Sequence, residues 1–291
     1  FGVTKDLAEE FGANRVINSP ISEGTVVGLA VGAAVLGFRP VVEVMFADFI
    51  TLAMDQLVNH AAKLHYMSGG QLRVPLTIRV QGGASGGWGA HHSQSLEAWF
   101  HHVPGLRVVM PSTPIDAKGL LKAAIREDNP VLVVEHRGLY GARGEVPEDD
   151  SVVPLGAAAI RRPGNDVTVV AWSRMVSIAM DAAEQLAAQG ISAEVIDPRS
   201  VCPLDLPTIV ASVRKTGRLV VVHEAVRMGG VGAELAAQVQ EAAFDYLDSP
   251  ILRVGAPSAP VPASPVLEKQ FVPGTDEVLS AVRHALALPQ T

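Results

Sequence analysis

The feature that most constrains the fold is a regular alternation of short apolar, β-branched runs with helix-like stretches. The runs that predict strands are Val41–Met45, Pro75–Val80, Leu106–Met110, Val131–Glu135, Val167–Trp172, Ser192–Ile196, Leu219–Val222 and Ile251–Val254. The patterns that predict helices are Thr25–Leu36, Thr51–His65, Asp116–Arg126, Val176–Gln189, Ala233–Ala243 and Asp276–Ala287. Strands without polar alternation are buried on both faces, which favours parallel sheets covered by helices. The predicted fold class is therefore α/β, with doubly wound, mainly parallel sheets.

A change of composition divides the 291 residues into two predicted domains. Between residues 137 and 164 the chain is rich in Gly, Pro and acidic residues and loses its periodicity, which is typical of a linker. We expect a first domain over residues 1–145, a linker over residues 146–164 and a second domain over residues 165–291. A second Pro-rich stretch, residues 256–265, predicts an ordered surface loop because a helical pattern follows it.

Charge and composition exclude several classes of function. The net charge is −7 and no basic cluster is present, which argues against a nucleic-acid partner. A single cysteine, Cys202, excludes an internal disulfide framework and a cysteine-based metal cluster, and is best interpreted as a small apolar residue. The longest apolar stretch, Val26–Phe38, is interrupted by glycines and too short to span a membrane.

Glu23 is the first candidate for chemistry. It follows Arg15–Asn18, which has the pattern of a strand end, and it begins an apolar helical pattern. Open α/β sheets bind ligands where the carboxyl end of a strand meets a helix N-terminus. An acid in a first helical turn is also favoured by the helix dipole alone. The helix consists almost wholly of Gly, Ala, Val and Leu, so we expect it to be buried on all sides, with Glu23 facing a pocket or an interface.

The glycine-rich loop QGGASGGWGAHHSQ, residues 81–94, directly follows a predicted strand. Its glycines permit close backbone approach, but their spacing fits neither a dinucleotide fingerprint nor a P-loop. His91 and His92 lie near its end, where a histidine can act as a general acid or base. A solvated surface turn is the alternative interpretation. Adjacent histidines point apart and no His-Glu-x-x-His motif is present, which argues against a metal site here.

The segment VMFADFITLAMDQ contains a second strand–helix junction. Met45 ends a predicted strand and Phe49 follows four residues later. An aromatic ring at this position could form a platform for a flat heterocycle, although such rings more often belong to the core.

Six segments together resemble a known family. They are RVINSPISE, GFRPVVEVMFADF, AMDQLVNHAAKLHYMSGG, HHSQSLEAWFHHVPGLRVVMPSTPIDAKGLL, AIREDNPVLVVEH and IDPRSVCPLD. They resemble the beta subunits of the decarboxylating components of the pyruvate, branched-chain 2-oxo-acid and acetoin dehydrogenase complexes. The resemblance covers essentially the whole chain. It implies a transketolase-like pyrimidine-binding domain followed by a transketolase C-terminal domain.

The resemblance also implies a set of partners. An alpha subunit would complete an α2β2 tetramer with thiamine diphosphate at each alpha–beta interface. A Gly-Asp-Gly motif with its following Asn is absent, and the family carries that Mg2+–diphosphate motif on the alpha subunit. The substrate would be a 2-oxo acid or acetoin, and the acyl group would pass to a lipoyl-bearing acyltransferase. We expect a bacterial cytoplasmic location, with the mitochondrial matrix as the alternative.

Specific residues match the functional positions of the family. Glu23 matches the cofactor-activating glutamate, and His92 matches the histidine of the active-site loop. Phe49 matches the aromatic residue that lies against the aminopyrimidine, with Met45 beside it. A potassium site built mostly from backbone carbonyls would map to Leu76, Ala124, Ile125, Glu127 and Asn129.

Two alternatives remain open at the level of the sequence. One is half of a split transketolase or of an acyloin-forming enzyme without a lipoyl partner, and the other is a non-catalytic scaffold subunit. Family members begin a few tens of residues earlier with a helix and a strand, so we expect the first domain to lack its N-terminal elements.

Overall fold

The structure, a computed structural model, describes residues 2–287. Residue 1 and residues 288–291, the outer ends of the two predicted domains, lie outside the described residues. Residues 2–287 form ten α-helices: α1 (Leu7–Phe11), α2 (Glu23–Val35), α3 (Leu64–Met67), α4 (Glu97–His101), α5 (Pro114–Arg126), α6 (Met175–Ala187), α7 (Leu206–Thr216), α8 (Val231–Ala243), α9 (Pro265–Phe271) and α10 (Thr275–Ala285).

The first sheet has five strands in the order β1-β2-β4-β3-β8. They are β1 (Val41–Val44), β2 (Thr77–Gly82), β3 (Arg107–Val109), β4 (Val131–His136) and β8 (Ser200–Cys202). The first four strands are mutually parallel, and β8 runs antiparallel to β3. The second half of the chain therefore contributes an edge strand to the sheet of the first half.

The second sheet has five strands in the order β10-β9-β6-β7-β5. They are β5 (Ala159–Arg162), β6 (Val167–Ala171), β7 (Ala193–Asp197), β9 (Leu219–Val226) and β10 (Leu252–Ala256). Only β5 is antiparallel to its neighbour. The predicted α/β class with mainly parallel sheets is confirmed, and each of the eight strands predicted between residues 41 and 254 is present. β5 lies within residues 146–164, where a linker was expected, and the domain bounds themselves stay a prediction.

Two predicted elements are wrong. Arg15–Asn18 forms no strand, because the amides of Arg15 and Val16 bond to the Gly12 carbonyl in a turn and β1 is the edge strand of its sheet. The helix expected over residues 51–65 is broken into a 3-10 helix (Ala47–Ala53), a π-helix (Asp55–Ala61) and α3. The Thr51 hydroxyl donates to the Asp48 carbonyl at 2.7 Å, a local bond that competes with a regular helix.

Helix α2 is buried on one side only. Its buried residues are Val27, Ala30, Val31 and Ala34. Leu29 is 71% exposed, and Leu36, just after the helix, is 80% exposed. The prediction that α2 is buried on all sides is therefore wrong for this chain alone. The buried face packs against the 3-10 helix, and this packing places the start of α2 beside the segment that follows β1.

A shared core and buried ion pairs join the two halves of the chain. One apolar cluster extends from Val27 of α2 to Ile196 of β7 and to Trp172, which directly follows β6. Arg161 of β5 bonds to Asp197 at 2.7 Å and also to Asp116 of α5, and both carboxylates are buried. A buried charge needs such partners to offset its desolvation. Among residues 2–287, no helix is long and apolar enough to cross a bilayer.

Candidate active site

Glu23 is the first residue of α2. A Cβ added to the next residue, Gly24, would lie 3.1 Å from the carbonyl oxygen of Leu52, so the first helical turn touches the 3-10 helix. The Glu23 side chain is half-buried and makes no hydrogen bond or ion pair within the described part of the chain. Its carboxylate is therefore available to a ligand or to another subunit.

His92 lies in a cluster of aromatic rings. Its ring centroid is 4.7 Å from that of Phe46 and 5.3 Å from that of Phe49, with interplanar angles of 87° and 89°. Trp88 completes the cluster, 5.8 Å from Phe46 and 6.4 Å from His92. The structure therefore brings two predicted site residues, His92 and Phe49, into direct contact.

The cluster forms because two parallel strands end side by side. The phenylalanines follow β1 and the glycine-rich loop follows β2, its hydrogen-bonded neighbour. Asp48 links the two segments, since its Oδ1 accepts from the backbone N–H and the side-chain amide of Gln94 at 3.3 and 2.8 Å. The candidate site therefore lies at the carboxyl edge of the first sheet, where α/β folds bind ligands.

Met45, another predicted site residue, lies between β1 and Phe46 in the chain. It is 40% exposed, whereas Phe49 is half-buried against the core. Phe46 and Trp88 were missed from the sequence. Phe46 could have been found from its position next to Met45. Trp88 could have been found because it is the single aromatic residue among the glycines of the loop.

Arg137 was also missed. It follows β4 and its guanidinium carbon lies 4.8 Å from the centre of the Trp88 ring, a cation–π contact. It also donates to the Ser85 carbonyl of the glycine-rich loop. Burial lowers the pKa of Arg137, and the nearby carboxylate of Glu268 opposes that shift. The guanidinium thus contacts the glycine-rich loop at both Ser85 and Trp88.

A buried histidine–glutamate pair lies where the loop begins. The Nδ1 of His136 accepts from the Gly138 N–H at 3.0 Å, so Nε2 carries the proton and donates to Glu224 at 2.9 Å. Glu224 also accepts from the Ala84 N–H at 2.5 Å. Burial alone would raise the pKa of Glu224, but the interactions with His136 and Ala84 outweigh it and hold this pKa below its ordinary value.

A second pair repeats this arrangement with the roles exchanged. His223, next to Glu224 in the chain, lies 2.6 Å from Glu97 of α4, and both side chains are buried. The two pairs border a cavity of about 10 Å³ between the halves of the chain, room for about one water. The adjacent residues His223 and Glu224 therefore each make a polar contact between the two halves of the chain.

Four of the five predicted potassium ligands lie in the last turn of α5 or just after it, and Leu76 directly precedes β2. The carbonyls of Ile125 and Glu127 accept from Arg39 Nη1 at 3.1 and 2.9 Å, and the Asn129 side chain donates to the Glu127 carboxylate at 2.7 Å. The Leu76 carbonyl is bonded to the backbone of β4. Among residues 2–287, no three His, Cys, Asp or Glu side chains lie close enough to hold a metal ion. A site built from carbonyls stays a prediction.

Two other histidines and the single cysteine lie outside the aromatic cluster. His101 bonds to the Val201 carbonyl at 3.0 Å, and His91 is exposed and outside the aromatic cluster. Cys202 is a half-buried residue of β8, and burial raises the pKa of its thiol, which disfavours a nucleophilic thiolate.

The residues present fit the pyrimidine end of thiamine diphosphate. A partly exposed aromatic surface of Phe46, Phe49 and Trp88 suits a flat heterocycle. The Glu23 carboxylate has no partner within the described residues. Glu23 lies on α2, which packs against the 3-10 helix that contains Phe49. The buried Oε1 of Gln56, near Gly24, likewise lacks a hydrogen-bond partner there.

Comparisons with known proteins identify the two domains of the chain and its relatives. Residues 1–143 match the transketolase pyrimidine-binding domain, and residues 156–278 match the transketolase C-terminal domain. The chain is 49% identical to the pyruvate dehydrogenase E1 component subunit beta of Rhizobium meliloti, over 97% of this chain and 62% of that protein. It is 48% identical to the acetoin:2,6-dichlorophenolindophenol oxidoreductase subunit beta of Bacillus subtilis, over 99% of this chain and 84% of that protein.

A solved structure is also similar. It is described as a split-gene transketolase in an inactive beta4 tetramer, and it shares 26% identity with a TM-score of 0.81 over 99% of this chain and 89% of that one. The predicted family and fold are thus confirmed. The chain belongs to the transketolase-like family of thiamine-diphosphate enzymes that contains the beta subunits of pyruvate and acetoin dehydrogenases.

Proposed function

We propose that this chain is the beta-type subunit of a heterotetrameric thiamine-diphosphate-dependent 2-oxo-acid or acetoin dehydrogenase. The proposed enzyme cleaves the bond next to the carbonyl and passes the acyl group to the disulfide of a lipoyl-bearing acyltransferase. It is thus an oxidoreductase of which this chain supplies one part of the active site.

The observation that carries the proposal is the packing of His92 against Phe46 and Phe49. It joins a titratable side chain to an aromatic wall at the carboxyl edge of a parallel sheet, and Glu23 lies on the adjoining helix. Sequence identity of 48–49% to the two dehydrogenase subunits over almost the whole chain supports the same assignment.

Four side chains have tasks in this proposal. Thiamine diphosphate, when bound, supplies the electron sink that is needed after the bond next to the carbonyl breaks. Glu23 exchanges a proton with a ring nitrogen of the aminopyrimidine. Phe49, with Met45 beside it, orients that ring and excludes water from it. His92 donates a proton to the reacting group or steers the acyl group toward the lipoyl arm.

The remaining partners complete the proposed enzyme. Mg2+ and the diphosphate would be held mainly by the alpha subunit of an α2β2 tetramer, since this chain has no Gly-Asp-Gly motif. A potassium ion would bind the carbonyl-rich group Leu76, Ala124, Ile125, Glu127 and Asn129. The proposed compartment is the bacterial cytoplasm, and relatives from rice and Arabidopsis named as mitochondrial keep the matrix as the alternative.

A second candidate is half of a split transketolase without a lipoyl partner. The similar split-gene transketolase favours it, because that structure covers 99% of this chain. Its identity of 26% is well below the 48–49% of the dehydrogenase subunits, which places it second.

The test is co-expression with an alpha subunit, followed by turnover assays with dichlorophenolindophenol as electron acceptor. Pyruvate, branched-chain 2-oxo acids and acetoin are the substrates to compare. We expect oxidation of at least one of them, dependent on added thiamine diphosphate and Mg2+. Ketol transfer between sugar phosphates without dye reduction would instead support the split transketolase.

A further inference from the structure

The loop that carries Trp88 and His92 is held by the second half of the chain. Ala84 donates through its N–H to Glu224 at 2.5 Å and accepts through its carbonyl from Arg174 at 3.1 Å. These contacts fix the first residues of the loop. The contacts of Asp48 with Gln94 fix its other end.

The carboxylate of Glu268 holds the middle of the loop. Its Oε1 accepts from the Gly86 N–H at 2.9 Å and its Oε2 from the Gly87 N–H at 2.8 Å. Glu268 lies on α9 and is only 9% exposed, so both bonds are shielded from water. Hydrogen bonds to an ionised acceptor are about twice as strong as neutral ones.

The segment before α9 also fits the loop sterically. A Cβ added to Gly87 would lie 2.7 Å from the Ala263 carbonyl oxygen, and one added to Gly89 would lie 3.3 Å from the Ala263 Cβ. The Pro-rich stretch predicted to be a surface loop is thus part of the support for the glycine-rich loop. This close approach explains why glycines occupy both positions.

The held residues lead directly to the aromatic cluster. Trp88 follows Gly87 in the chain, and the His92 N–H bonds to the Gly89 carbonyl at 3.4 Å. Arg137 lies over the Trp88 ring and is attracted by the Glu268 carboxylate. A displacement of Gly86 and Gly87 would therefore move both Trp88 and His92 relative to the phenylalanines.

We propose that Glu268 is a positioning residue for catalysis: from the second half of the chain it fixes the glycine-rich loop so that His92 stays against Phe46 and Phe49. The catalytic part of this inference rests on the proposed function. The structural part concerns this chain alone.

The experiment compares Glu268→Gln and Glu268→Asp with wild type and with Gln270→Ala, a change at an exposed position of the same helix. The glutamine side chain keeps one acceptor oxygen for one of the two loop amides. Its NH2 group faces the other amide, and the negative charge is lost. Hydrogen exchange of the peptide covering residues 83–90 should rise about ten-fold in Glu268→Gln, because a charged acceptor of two bonds is lost. Exchange of β6 and β9 should stay at the wild-type rate.

In the complex with an alpha subunit, Glu268→Gln should lower kcat by about ten-fold or more, because small misplacements of catalytic groups are costly. The KM for the substrate should change by less than about two-fold, because Glu268 does not touch the substrate in this proposal. Glu268→Asp, which keeps the charge and both oxygens, should recover part of kcat. Gln270→Ala should match wild type.

Wild-type exchange of the loop in Glu268→Gln would overturn the proposal, as would faster exchange of the loop with unchanged kcat. Faster exchange throughout β6 and β9 would show a general loss of stability and would also overturn it. A wild-type complex without turnover on any substrate would count against the proposed function instead. The exchange result then still decides whether Glu268 holds the loop.

Discussion

The imidazole of His92 stands edge-on to the ring of Phe49, with centroids 5.3 Å apart and planes at 89°. The two residues are separated by more than forty positions and lie on different segments. They meet because β1 and β2 are parallel neighbours whose carboxyl ends open at the same edge of the sheet. This contact joins the aromatic ring of Phe49 and the imidazole of His92 at the candidate site.

Replacement of His92 by alanine should abolish most overall turnover of the complex, by about a hundred-fold or more, because general acid–base groups contribute factors of this size. The measurement is the steady-state rate with the lipoyl domain as acceptor. His91→Ala is the matched control, since His91 is exposed and outside the aromatic cluster. Equal rates for the two variants would remove His92 from its proposed role.

Replacement of Glu23 by glutamine should leave assembly intact and abolish proton exchange at the thiazolium carbon of the bound cofactor. The amide has a similar shape but cannot shuttle the proton, and a loss of about a hundred-fold or more is expected. Proton NMR in deuterated buffer measures this exchange. Glu9→Gln, at an exposed position of α1, is the control. Unchanged exchange in Glu23→Gln would contradict the assignment.

Gly83→Ala should destabilise the chain by at least about 2 kcal/mol, from overpacking and a left-handed backbone. The φ angle of Gly83 is +82°, and a Cβ there would lie 2.2 Å from His136 Nε2. Gly141→Ala is the control, because nothing lies within 4 Å of its added Cβ. Thermal unfolding followed by circular dichroism should separate the two variants, and equal midpoints would refute the steric argument.

Stability should depend on the ionisation of Glu224 at acid pH. Its folded-state pKa is held below the ordinary value, so the ionised form contributes stability that is fully present above the unfolded-state pKa of about 4.3. This contribution is lost as pH falls through the lower, folded-state pKa. Glu224→Gln should therefore show a shallower loss of unfolding free energy in this window than wild type. Glu241→Gln, at an exposed position of α8, should retain the wild-type slope.

The purified chain alone should neither bind thiamine diphosphate tightly nor decarboxylate a 2-oxo acid. It provides the aromatic wall and Glu23 but has no Gly-Asp-Gly motif for the metal and diphosphate. Titration calorimetry in the presence of Mg2+ is the measurement. Tight binding without an alpha subunit would contradict a shared site.

Eight of the ten strands and five of the ten α-helices in residues 2–287 were predictable because their information is local. The parallel strand Val167–Ala171 is buried at every position and apolar at every position except Thr168. Helix α5 begins with Thr113, whose side chain accepts from the Asp116 N–H, and with Pro114 in its first turn. The short edge strands β5 and β8 were missed, because each is defined only by its partner in another part of the chain. The broken helices after β1 were missed because the contacts of Asp48 distort them.

The sequence by itself determined the family, the α/β class and the identity of Glu23, Phe49 and His92 as candidates, since motif order and hydrophobic pattern are written along the chain. Only the tertiary structure decided that His92 packs against both phenylalanines, that Arg137 supports Trp88, and that the second half of the chain holds the glycine-rich loop. The physical reason is that glycines leave the loop many conformations. Contacts from distant residues, Glu224 and Glu268 above all, select one of them.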